Sequence, residues 1–256
     1  MLPATVLFLT LLSDAIHLQV REGRPIIDGV YVNGHGPFRF LLDTGAERNE
    51  LDVRVAQDLQ LQATFPADIF TAAGAVRGSG ARGLTLRLGP VEAGAQEVLF
   101  ARLEALHQWS PDVQGILGQG FLSRFDYLLD LRHHSIEFGA QQRDGLRVPF
   151  EILAGIPSVP TSLGMLSLDS GADRLIVFEK QPAGARPTHT IQTEAGIVSA
   201  VLDVERPLVL GGRTIHHSGV LVVLQPRGVS PEGILPACLF RTVYVCNSEG
   251  YLVLTQ

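Results

Sequence analysis

The sequence predicts an all-β chain of two pseudo-symmetric units. Three observations predict it. Short β-branched runs alternate with frequent turn residues, 27 Gly and 15 Pro among 256 positions, which is the punctuation of strands rather than of helices. Helical signal is confined to a few short stretches. The same motifs also recur in the same order in the two halves.

The elements follow in chain order. Met1 to Leu12 is apolar and is followed by Ser13-Asp14-Ala15. Small residues at Ser13 and Ala15 fit a signal-peptidase site after Ala15, so residues 1–15 are expected to be a signal peptide and the chain to be exported, periplasmic or secreted. No Lys or Arg precedes Arg21, so the alternative is an N-terminal strand of a cytoplasmic protein. The apolar run is too short for a membrane span. Ile26 to Val32 reads as a strand, and Asn33-Gly34-His35-Gly36-Pro37 as the loop of a hairpin. Glu50 to Leu59 is expected to form one short helix. Phe121 to Phe125 and Cys238 to Thr242 are expected to form about a turn each. Leu84 to Leu88 and Gly219 to Leu224 read as further strands.

The repeat has three members. The first is an apolar strand that ends in Asp-Thr/Ser-Gly-Ala: Phe40-Leu41-Leu42-Asp43-Thr44-Gly45-Ala46, then Leu166-Ser167-Leu168-Asp169-Ser170-Gly171-Ala172. The second is Thr71-Ala72-Ala73-Gly74-Ala75-Val76, then Thr193-Glu194-Ala195-Gly196-Ile197-Val198. The third is Gly115-Ile116-Leu117-Gly118, then Gly233-Ile234-Leu235-Pro236. Order, content and spacing agree, which points to a duplicated unit. The polar stretch Gly139 to Arg147 reads as the linker, giving units of 16–140 and 141–256.

Composition excludes several classes. Apolar residues make up 46% and charged residues 18%, far from a disordered chain. Twenty basic residues, of which Lys180 is the sole lysine, face 26 acidic ones for a net charge of −6. Without a basic patch interleaved with aromatics, no nucleic-acid partner is expected. His133-His134 and His216-His217 lack metal-ligand spacing, so neither a metal nor an organic cofactor is expected. Ser79 lies between glycines but lacks the setting of a nucleophile elbow. Cys238 and Cys246 make no disulfide framework; they are expected to be two buried thiols, with pairing as the alternative. Trp109 is expected to pack in the core rather than edge a cleft.

The paired aspartates carry the chemistry. A carboxylate at the end of a buried strand is costly unless bonded or paired. Two such groups brought together across a pseudo-dyad share one proton. The ionised member then takes a proton from water, and the protonated one polarises a carbonyl. The hydroxyls of Thr44 and Ser170 are placed to bond the opposite loop. Gly45 and Gly171 leave room for close approach.

These motifs resemble those of the retropepsin-like aspartic proteases, in a single-chain form with two fused lobes, as in bacterial relatives. Asp43-Thr44-Gly45-Ala46 and Asp169-Ser170-Gly171-Ala172 match that family's catalytic loops. Gly115 to Leu122 resembles its hydrophobic-hydrophobic-Gly block before a short helix, and Tyr127 to Asp130 with Ser135 to Phe138 its closing strands. The resemblance spans about residues 25–256. It implies two acid-protease lobes, an interlobe cleft for an extended peptide, and catalytic Asp43 and Asp169 supported by Thr44, Gly45, Ser170 and Gly171. It also implies a covering flap around Ala73, Gly74, Ala75 and Val76, with Thr193 to Ala200 as its counterpart. The implied protein is a monomeric aspartic endopeptidase acting on peptide or protein substrates, without a stable membrane span. The second half departs from the pattern. Pro236 stands in place of Gly118, and Val243 to Asn247 has no evident counterpart to Leu129-Asp130-Leu131. A different chain path there is one expectation, and a catalytically silent peptide-binding protein of the same fold is the rival function.

Overall fold

The computed structural model describes residues 15–71, 74–180, 189–193, 196–225 and 230–256. The proposed leader therefore lies outside the described residues apart from Ala15. Strands dominate, and their pairings form one 13-stranded and one 10-stranded sheet among the described residues. The helical segments described are Val53–Asp58, Glu104–His107, Gln119–Leu122 and the 3-10 turn Ala237–Leu239. No helix among the described residues is long and apolar enough to cross a membrane.

The expected helix from Glu50 begins later. Asn49–Asp52 is a strand, paired in parallel with Val91–Ala101 and antiparallel with Gly115–Leu117. Asp52 then turns the chain into the helix: its backbone is extended, and its Oδ1 accepts the Arg54 N–H at 2.7 Å. That is N-cap chemistry, which a helical residue at this position could not supply. The hairpin is also tighter than expected. Val32 pairs with His35, so only Asn33 and Gly34 form the loop, both at positive φ. This is the two-residue turn that matches strand twist.

The motif pairs become neighbouring strands. His35–Leu42 runs parallel to Gly115–Leu117, with Leu42 opposite Leu117. Gly164–Asp169 runs parallel to Gly233–Pro236, with Leu168 opposite Leu235 and Asp169 opposite Pro236. The glycine that opens each Gly-Ile-Leu has a steric cause: a Cβ at Gly115 would run into the Phe40 ring, and one at Gly233 into the Ile176 carbonyl oxygen. Pro236 therefore does not divert the second half at this point. It extends the ladder by one residue, with its ring where no further amide is donated.

The closing strands correct the other expected departure. Thr242–Cys246 lies antiparallel to Tyr127–Asp130, with Val243 opposite Leu129. It occupies in the second half the place that Tyr127–Asp130 has in the first. On either side the order is mirrored. Tyr127–Asp130 is followed by Ser135–Phe138 and Ile16–Arg21, and Thr242–Cys246 by Tyr251–Thr255 and Leu146–Pro149. Leu146 and Arg147, expected in the linker, thus belong to a strand. One core cluster runs beneath this shared sheet, joining Leu18, Tyr127 and Leu129 of the first half to Val148, Val243, Val245 and Leu254 of the second. Asn247 adds a polar tie by donating from Nδ2 to the carbonyls of Leu122 and Phe125 at 3.1 and 2.6 Å.

Candidate active site

The strand ladders carry Asp43 and Asp169 to the same place. Each follows a fully buried leucine, Leu42 or Leu168, and each keeps partial contact with solvent. The loops that follow are locked together by four reciprocal hydrogen bonds. The Thr44 N–H donates to Ser170 Oγ at 3.0 Å, and the Ser170 N–H to Thr44 Oγ1 at 3.0 Å. Thr44 Oγ1 donates in turn to the Leu168 carbonyl at 2.9 Å, and Ser170 Oγ to the Leu42 carbonyl at 2.6 Å. Both side chains are fully buried, so each bond is shielded from competing water.

Glycine at the next position is sterically required. A Cβ on Gly45 would overlap the Asp169 carboxyl, and one on Gly171 would overlap that of Asp43. Each carboxyl thus rests against the opposite loop. Each is also held by its own loop: Gly45 N–H donates to Asp43 Oδ1 at 2.8 Å, and Ala172 N–H to Asp169 Oδ1 at 2.9 Å. The two carboxyls are near enough for each to shift the other's ionisation.

Burial raises the pKa of both acids. For Asp169 the negative charge of Asp43 pushes the same way, lifting it well above the usual carboxylate range. For Asp43 the donated Gly45 amide works against the rise. The pair is therefore disposed to hold one proton in common.

Residues outside the sequence motifs complete the first loop. Gln119, at the start of its short helix and 3% exposed, donates from Nε2 to the Thr44 carbonyl at 2.7 Å. Its own N–H reaches the Ala46 carbonyl at 2.8 Å, and Gly120 N–H reaches that of Glu47 at 3.1 Å. Gly118 N–H donates to Asn49 Oδ1 at 3.0 Å, and Asn49 Nδ2 to Gln96 Oε1 at 3.0 Å. Polar residues this deeply buried in a β-rich chain are a signal that could have drawn attention to Asn49, Gln96 and Gln119, yet their partners are remote in sequence.

The expected flap is a hairpin. Phe65–Thr71 pairs with Gly74–Leu88, with Thr71 opposite Gly74 and Phe70 opposite Ala75. Gly74, Ala75 and Val76 open the returning strand, while Ala73 lies outside the described residues. Its counterpart pairs His189–Thr193 with Gly196–Asp203. Elsewhere, His133 Nδ1 bonds Asp130 Oδ2 at 2.8 Å, and His217 Nδ1 accepts the Gly219 N–H at 3.1 Å. Among the described residues no cluster of three or more His, Cys, Asp or Glu is placed to hold a metal. Both thiols are free. Cys246 is buried as expected, but Cys238 is only half-buried, because it lies beside the second aspartate loop, facing the Ala172 and Asp173 carbonyls. Trp109 packs against a satellite cluster of Ile26, Leu41, Leu103 and neighbours.

Residues 29–121 match a family model described as aspartyl protease. Among solved structures, the chain is similar to a retropepsin-like aspartic protease from Rickettsia conorii, at 23% identity over 48% of this chain and 88% of that one, with a TM-score of 0.37. A sequence search of curated proteins finds no match. The stretch matched by the family model contains Asp43-Thr44-Gly45 and the Gly115 to Phe121 block.

Proposed function

We propose that the chain is an aspartic endopeptidase in which Asp43 and Asp169 form the catalytic dyad. The observation that carries the reading is the meeting of the two carboxyls, each against the other loop's glycine, with the pKa of each raised by burial. A buried carboxyl pair of this kind is costly, and such arrangements cluster at functional sites.

In this reading the dyad enters the reaction with one proton. The ionised carboxylate takes a proton from a water molecule as the water oxygen attacks the scissile carbonyl carbon. The protonated carboxyl gives its proton to the carbonyl oxygen, so the tetrahedral intermediate is a neutral diol. A proton then passes to the amide nitrogen, the C–N bond breaks, and a carboxylic acid and an amine leave. Thr44, Ser170, Gly45 and Gly171 hold the carboxyls in place. The two hairpins, with Gly74, Ala75 and Val76 in the first, cover an extended peptide. The units are 16–140 and 141–256, one chain supplies both acids, and the protein acts as a monomer. The apolar leader and Ser13-Asp14-Ala15 favour export.

The test is cleavage of a denatured protein and a peptide library across pH, beside Asp43→Asn and Asp169→Asn. Cleavage is expected to follow a bell-shaped profile on the acid side, vanishing when both carboxyls are protonated and again when both are ionised. Each variant should lose at least about a thousandfold in kcat, since both acids act as a unit. Either variant cutting as well as the parent would sink the assignment.

A further inference from the structure

The two walls beside the aspartates are built to one plan and differ in one charge. Residues opposite each other on paired strands share a face of the sheet, as do residues two apart on one strand. Leu41, two before Asp43, lies opposite Ile116; Ile116 lies opposite Glu50, and Glu50 opposite Leu99. In the second half Ser167, two before Asp169, lies opposite Ile234; Ile234 lies opposite Ile176, and Ile176 opposite Leu221. Glu50 and Ile176 therefore hold the same place in the two halves. One carries a carboxyl, the other a hydrocarbon side chain.

In each half this row runs from the aspartate strand toward the hairpin. In the second half, Ile191 and Val198 of the hairpin pack with Ile176 and Ile234 in one apolar cluster. In the first half, the strand of Glu50 stands two strands from the one that leads to Asp43. It also stands two strands from Gly74–Leu88, the returning strand of the hairpin. At about 4.8 Å between strands, Glu50 is about 10 Å from the Asp43 strand, the length of about three residues of extended peptide. Glu50 is 9% exposed and sits between the buried Leu99 and the half-buried Ile116. Charge attraction is stronger in such surroundings than in water. Arg48, nearer the aspartate on the same strand face, has the Glu47 and Glu97 carboxylates at 3.7 and 3.6 Å, so it does not turn that end of the row positive.

We propose that Glu50 is a specificity-determining residue: it takes a lysine or arginine side chain of the peptide on the first-half side of the cut bond, and the matching place at Ile176 takes an apolar one. A long basic side chain lays its methylene stem along Ile116 and brings its cation to the carboxylate. The same cation at Ile176 would be stripped of water against Ile234 and Leu221. A cleft of two like halves accepts a peptide in either direction; this one charge sets which end of the peptide lies in which half. The inference rests on the hydrolytic reading above; the binding of basic peptides can be measured without it.

The experiment uses the full chain and a set of peptides that share one cleaved sequence, with Lys, Arg, Gln or Leu placed in turn at each of the positions flanking the cut bond. Cleavage is measured at the highest pH at which the parent still cuts, and binding by fluorescence anisotropy. The parent should prefer Lys or Arg to Leu at one position on one side of the bond, and Leu to Lys at the matching position on the other. The basic preference should be about 10- to 100-fold in kcat/KM, the scale of a hydrogen bond to a charged group. Glu50→Gln keeps the size of the side chain and should bring that ratio close to unity. Glu50→Ile should prefer Leu on both sides. Ile176→Glu leaves Glu50 in place and should add a basic preference on the other side of the bond. A parent without a basic preference, a Glu50→Gln variant that keeps it, or an Ile176→Glu variant whose preference stays one-sided overturns the proposal. A parent that cuts none of the peptides overturns the hydrolytic reading instead. The affinities of the parent and Glu50→Gln for the Lys and Leu peptides then decide the role of Glu50, and equal affinities count against it.

Discussion

At the residue scale, the pair of carboxyls makes stability and chemistry pull in opposite directions. Burial and the Asp43 charge favour the protonated form of Asp169 in the folded chain. The folded state therefore binds more protons than the unfolded one between the ordinary carboxylate range and the raised folded pKa. Stability falls as pH rises through that window. Asp169→Asn removes the ionisation cost. The variant should gain melting temperature relative to the parent at pH 7, with the gain shrinking below about pH 4, where an ordinary unfolded aspartate is itself protonated. Thermal unfolding at both pH values checks this. An equal shift at the two pH values would mean that the carboxyl carries no such strain. Thr44 and Ser170 are legible as partners from their place beside the aspartates, because a hydroxyl next to a loop crossing has few other uses. Gln119 is not, since its target, the Thr44 carbonyl, is 75 residues away.

At the element scale, Asp52 shows how one residue ends a strand and starts a helix. Its side chain is 1% exposed and bonds Arg54 through both oxygens, with His107 Nε2 at 3.3 Å. Burial alone would raise its pKa, but the Arg54 bonds and charge outweigh that and lower it. Its contribution is therefore present above the ordinary carboxylate pKa and is lost as pH falls through the lowered folded value. Asp52→Ala should cost about 1–2 kcal/mol at pH 7, the usual range for losing an N-cap, and less in strong acid. Urea unfolding at the two pH values measures it. The apolar content of Leu51, Val55 and Ala56 suits either a helix or a strand, so periodicity alone placed the helix start too early. The pairing with Val91–Ala101 decides the matter, and that partner is distant in sequence.

At the scale of the whole molecule, the two halves share a sheet and a core, so they should unfold together. Trp109 is the sole tryptophan and lies in the first half. Its fluorescence and the far-UV circular dichroism of the whole chain should give coincident transitions. Leu254→Ala, in the second half and 2% exposed, should destabilise by about 2–5 kcal/mol and shift the Trp109 transition by the same amount as the dichroism. A Trp109 transition left in place would show two independent units. The Thr242–Cys246 strand bears on this expectation, because it pairs directly with Tyr127–Asp130 at the centre of the joint sheet.

The sequence by itself determined the β class, the repeated aspartate loops and their Gly-Ile-Leu partners, and the residue types flanking each acid. These are written locally, in strand alternation, turn residues and a motif used twice. Tertiary structure alone decided that each carboxyl rests against the opposite loop, that Pro236 continues a ladder rather than diverting it, and that Arg24 reaches Gly171. Each of those facts depends on how one half is laid against the other. That arrangement comes from the shared sheet and its buried side chains, whose contacts join residues more than a hundred positions apart and leave no periodic trace in the chain.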